Sequence, residues 1–124
     1  MKLFICTLVY QGGGTTLNVN IQVIQISAGE KFTLTGKGPA GSGVSLYQIT
    51  NYPPGGYPVN PKPTYVKIKD YTVPFVDNYP TAAADTYYFV TSPINGATPN
   101  NSSQPAANSI QLFYADGAEV DFTN

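Results

Sequence analysis

Few side chains in this 124-residue chain could act as acids, bases or nucleophiles: seven Asp and Glu, six Lys, one Cys, no His and no Arg. Without histidine there is no group that ordinarily titrates near neutral pH, which removes the usual base of serine and cysteine hydrolases. Cys6 sits in the apolar run Leu3 to Tyr10 with no activating neighbour in sequence. Apolar surroundings disfavour the thiolate, so a buried structural thiol is expected rather than a nucleophile, and a lone cysteine forms no intramolecular disulfide. A glycosidase needs two opposed carboxylates. Glu30, Asp77, Asp85 and Asp116 all fall in segments rich in turn formers, where solvation or capping explains them. Asp116, Glu119 and Asp121 are spaced closely enough to suggest oxygen ligands for a hard cation. Yet Asp116-Gly117 is already explained as a turn, and the other two fall on a strand. The expectation is a non-enzymatic protein with no catalytic residues, no metal and no cofactor.

The residues better suited to contact are tyrosines. Tyr52 and Tyr57 lie in the proline-rich stretch 51–63, and Asn51-Tyr52-Pro53 is echoed at Asn78-Tyr79-Pro80. Tyrosine on a stiff proline loop offers flat area for a sugar ring or a protein partner at low entropic cost. The competing reading is that Tyr52, Tyr57 and Tyr79 fold back and plug the ends of the core. Pro58-Val59-Asn60-Pro61 fits P-x-x-P, a weak signal among eleven prolines. The overlapping N-x-S acceptors at Asn100 and Asn101 matter only in a secreted eukaryotic protein.

The elements that must position these residues are strands. From Thr16 to Gly36, Leu17, Val19, Ile21 and Val23 alternate with Asn18, Asn20 and Gln22, a period of two. The apolar phase then slips to Ile24 and Ile26, and a one-residue slip predicts a β-bulge near Val23-Ile24. Ser27 to Glu30 predicts a turn, and Phe32 and Leu34 resume alternation in 31–36. Lys2 to Tyr10 is apolar on both alternations, which places it centrally in a covered sheet or against another subunit. Further strands are expected at 44–50, at 64–76 (with Pro74 marking an edge or the end of pairing) and at 86–91. Loops are expected at 37–43, 51–63, 77–85 and 92–108. The last of these spans seventeen residues, long for a structureless loop in a compact domain.

The chain ends in a predicted hairpin, 109–115 and 118–123, around a two-residue Asp116-Gly117 turn. That turn pairs Phe113 with Val120 and Leu112 with Asp121, and puts Phe113, Val120 and Phe122 in the core. It leaves Ile110, Leu112 and Tyr114 as an apolar strip beside Glu119 and Asp121, which suits contact with a neighbouring chain. Eight short strands joined by Pro- and Gly-rich loops, with no helical periodicity, predict one all-β domain over 1–124. The expected architecture is an antiparallel two-sheet β-sandwich, with an eight-stranded jelly roll as its specific form.

Charged residues make up 10 % of the chain at a net charge of −1, well below the roughly one quarter usual for a soluble domain. Copies therefore repel one another weakly. Lacking Arg, and with Lys67 and Lys69 as its tight basic pair, the chain is not expected to bind nucleic acid. The apolar run after Lys2 is short and followed by Gly12-Gly13-Gly14 without a small-x-small cleavage site, so synthesis in the cytosol without a secretion signal is expected. No run approaches the roughly 20 apolar residues of a membrane helix. Together these features predict a structural protein that packs into a larger particle, a virion capsid, penton or decoration protein. Its partners would be itself or other shell proteins, through Ile110, Leu112, Tyr114, Tyr52, Tyr57 and Tyr79. The alternative is a lectin-like module that binds surface glycan with the same tyrosines, although it lacks Trp.

Overall fold

The computed structural model describes residues 1–12, 15–50, 64–91, 108–114 and 117–124, with side chains throughout except 5–12 and 15–21. Among these residues there is no helix. Nine strands run as β1 (Lys2–Gly12), β2 (Thr15–Ile26), β3 (Phe32–Lys37), β4 (Gly43–Ile49), β5 (Tyr65–Thr72), β6 (Phe75–Tyr79), β7 (Thr86–Thr91), β8 (Ser109–Phe113) and β9 (Glu119–Thr123). They form two antiparallel sheets, a five-stranded one ordered β1-β2-β7-β4-β5 and a four-stranded one ordered β6-β3-β9-β8. Ile24, Ile26, Val44, Leu46 and Val90 from the first meet Phe32, Leu34, Ile110, Leu112, Val120 and Phe122 from the second in one core. Sharing one interior between two sheets is a sandwich-like arrangement. Burying each such side chain contributes about 1.5–3 kcal/mol.

The expected bulge at Val23-Ile24 is absent, since β1 and β2 pair without a break from Lys2–Gln25 to Gly12–Thr15. The phase slip needs no extra residue because β2 is apolar-covered on both faces there. Ile24 and Ile26 enter the shared core, while Val23 joins Ile49 and Phe89 in a second cluster on the opposite face, against Phe4, Tyr47 and Tyr87. The register shift lies instead between Leu46 and Tyr47, where β4 meets β5.

The single strand expected over 64–76 is two. The chain passes a cis Val73–Pro74 peptide between β5, the edge of the larger sheet, and β6, the edge of the smaller. Proline ends the ladder as anticipated, but the strand resumes in the other sheet. Nine strands therefore stand where eight were expected, and Tyr79 lies on β6 rather than in a loop.

The terminal hairpin also differs by one residue. Its pairs are Phe113–Glu119, Leu112–Val120, Gln111–Asp121 and Ile110–Phe122. Tyr114 and Ala118 close it, with Tyr114 N donating to Ala118 O at 3.0 Å and Gly117 N to Tyr114 O at 2.9 Å. Gly117, at φ 87°, takes the left-handed position of a three-residue connection. The two faces of the 109–114 strand are therefore exchanged, while Val120 and Phe122 stay in the core as expected. Ile110, Leu112 and Tyr114 are 1 %, 0 % and 2 % exposed within the chain's own core, and Phe113 is 38 % exposed.

Candidate functional site

Of the six residues expected at an interface, three fill the interior. Ile110 and Leu112 lie under Phe122 and Val120, and the Tyr114 hydroxyl donates to Val90 O at 3.0 Å, tying the smaller sheet to β7 of the larger. Tyr79 is half-buried. Its ring stacks on Phe32 at 4.5 Å and 9°, so it plugs the core rather than offering a face. Tyr52 and Tyr57 lie outside the described residues, as do Asn51, Pro58 to Pro61, Asn100, Asn101 and Asp116. Cys6 pairs with Ile21 on β1, and its side chain is likewise outside the description.

Two of the expected turn acids hold turns in place. The Glu30 carboxylate accepts from Ser27 N at 2.7 Å across the β2–β3 turn. Asp85 accepts from Ala28 N at 2.9 Å and fastens the 80–85 segment to that turn.

Asp77 does more. The Tyr71 hydroxyl, on β5, donates to Asp77 Oδ2 at 2.6 Å on β6, and Lys69 Nζ approaches the same oxygen at 3.3 Å. The Tyr79 hydroxyl bonds to that of Tyr71. Because Tyr71 gives its one hydrogen to Asp77, Tyr79 is the donor in that second bond. Burial, then the bonds to Asp77 and Tyr79, hold the Tyr71 hydroxyl well above the ordinary tyrosine range, so it remains a donor. The Tyr71 bond, with help from Lys69, holds Asp77 below the usual carboxylate range. Tyr71 also stacks on Phe75 at 4.2 Å, whose ring covers Gly36 and leaves no room there for a Cβ. This cluster locks together the edge strands of the two sheets. Its polar members are two tyrosines, one lysine and one carboxylate.

Around the cluster the edge strands expose apolar side chains: Val66 49 %, Ile68 40 % and Val76 69 %. Among the described residues, neither β5 nor β6 has a ladder partner on its outer side. At the opposite edge of the larger sheet, β1 and β2 share eleven paired positions, whereas β2 meets β7 only at Ile24, Gln25 and Ile26. From Thr15 to Val23 the two strands therefore form a ribbon with no other ladder partner among the described residues. Sequence reasoning missed this feature because periodicity reports which face is apolar, not how far a neighbour extends. Seven apolar residues on both alternations of Lys2 to Tyr10 were the available signal.

No family model, curated protein or solved structure matches the chain. No helix among the described residues is long and apolar enough to cross a membrane.

Proposed function

We propose that this chain is a non-enzymatic building block of a larger particle, a virion capsid, penton or decoration protein, joined to its neighbours through the edges of its larger sheet. The observation that carries the reading is the β1–β2 ribbon. A two-stranded ribbon alone is at best marginally stable in water and gains stability from a surface to lie on. Its two strands come from a chain with little charge to keep copies apart. The β5 edge, with Val66 and Ile68 exposed, is such a surface on a second copy. Strand order adds a fold-level analogy. β2-β7-β4-β5 in one sheet and β9-β3-β6 in the other follow the alternation of a jelly roll. In this arrangement β8 takes the place beside β9 that a first strand normally holds, and β1 is added at the edge of the opposite sheet. Jelly rolls are common in viral shells, and the analogy supports the virion reading without identifying it.

The test shortens the ribbon. Replacing residues 8–19 with Asn-Gly joins Thr7 to Asn20, which are paired, through a two-residue turn. In sedimentation velocity the natural chain is expected as a multimer and the shortened chain as a monomer with the same far-ultraviolet spectrum. A natural chain that sediments as a monomer, or a shortened chain that assembles equally well, overturns the proposal.

A further inference from the structure

The outer face of the smaller sheet carries two carboxylates on one strand. Glu119 and Asp121 are two residues apart on β9, so both project away from the core that receives Val120 and Phe122. Asp121 is only 8 % exposed. Lys37 Nζ, on β3, lies 3.5 Å from its Oδ2, but Oδ1 is buried with no hydrogen-bond donor. Gln111, opposite Asp121 on β8, gives an Nε2 hydrogen to Glu119 Oε1 at 3.0 Å. Spaced two residues apart on one strand, the two carboxylates are neighbours on the same face. Thr35 on β3, Phe113 on β8 and Val76 on β6 lie on the same face, and Lys37 is the cation paired with Asp121. A buried carboxylate oxygen without a donor is costly, and a second ionised carboxylate beside it adds repulsion.

We propose that Glu119 and Asp121 hold one proton between them, with the Glu119 carboxyl donating to Asp121 Oδ1, so that the outer face of the smaller sheet is a proton-linked clasp across β3, β9 and β8. With that proton in place each oxygen that Asp121 buries is served, Oδ1 by Glu119 and Oδ2 by Lys37, while Glu119 Oε1 still accepts from Gln111. Loss of the proton leaves Oδ1 without a donor beside a like charge. Burial first, then the charge of Asp121 and the bond to it, raise the Glu119 carboxyl above its ordinary range, against an opposing pull from Lys37. The folded chain holds the proton more tightly than the unfolded one, so this stabilisation is complete below the ordinary Glu value of about 4.3 and is lost as pH rises through the folded value.

Glu119→Gln tests the clasp, because its amide donates to Oδ1 at every pH. In urea unfolding from about pH 4 upward, the folding constant of the variant relative to the natural chain is expected to rise by up to tenfold per pH unit and then level off above the folded Glu119 value. By carbon-detected NMR the Glu119 carboxyl is expected to titrate above the ordinary range, and to return to it in Asp121→Asn. Parallel unfolding curves, or ordinary titration of Glu119 in the natural chain, overturn the proposal. So does stabilisation of the natural chain by added calcium at neutral pH that Glu119→Gln lacks, which would give Oδ1 to a metal rather than a proton.

Discussion

At the scale of single residues, one hydroxyl joins the edge strands of the two sheets. Tyr71 is buried, stacks on Phe75 across the sheets and donates to Asp77. Tyr71→Phe keeps the ring and removes the donor, so the expected cost at neutral pH is about 1–3 kcal/mol, typical for a partly buried bond to a charged group. The loss should depend on pH. Asp77 is held below its ordinary range, chiefly by this bond, so its stabilisation is present above the unfolded value of about 3.9 and disappears as pH falls through the folded one. Urea midpoints of the variant and the natural chain should therefore converge in acid. A gap that stays constant to the lowest pH at which both fold would show that the bond does not govern Asp77. None of this was legible in the chain, because Lys69, Tyr71, Asp77 and Tyr79 form a cluster only once β5 and β6 enter different sheets. Glu30 was legible as a turn acid, since its bond to Ser27 N is local, whereas the reach of Asp85 to Ala28 N joins two distant turns and was not.

At the scale of elements, strand positions were legible and their registers were not. Alternation at Phe32 and Leu34, and the compact run Tyr87 to Val90, mark β3 and β7 within a residue or so of their ends. Alternation has period two, however, so a single residue in a turn reverses every side chain beyond it. An Asp-Gly pair suits a two-residue turn, and it also suits the last two places of a three-residue one, where Gly117 takes the positive φ. The second option is used here, and it buries Leu112 while exposing Phe113. Two substitutions separate the registers. Leu112→Ala should cost about 2–5 kcal/mol as a core deletion, whereas Phe113→Ser should cost less than about 1 kcal/mol as a surface change. The reverse order in thermal or urea unfolding would restore the two-residue turn. At Val23-Ile24 the same ambiguity arose from burial on both faces, because a strand between two apolar clusters mimics a phase slip.

At the scale of the whole molecule, the two exposed edges of the larger sheet are different objects. β1 belongs to a ribbon, and β5 is a short edge bearing Val66 and Ile68. Contact between unlike edges would be heterologous, so copies would add head to tail, closing into a ring or shell where the rotation permits and extending as a filament where it does not. Contact between like edges would instead stop at a two-fold dimer. Val66→Lys with Ile68→Lys places charge on the β5 edge, which blunts edge pairing with little effect on folding because both side chains are already substantially exposed. On its own this double variant should sediment as a monomer, as should the chain with the shortened ribbon. Mixed in equal amounts, the two should form a one-to-one heterodimer and nothing larger. The double variant still owns an intact ribbon, and the shortened chain still owns an intact β5 edge, so the mixture holds one working contact and no means of extending it. Each should also act as a chain terminator when added in small proportion to the natural protein. A mixture that remains monomeric in sedimentation, or one that regains the full multimer, would mean that copies of this chain do not meet edge to unlike edge.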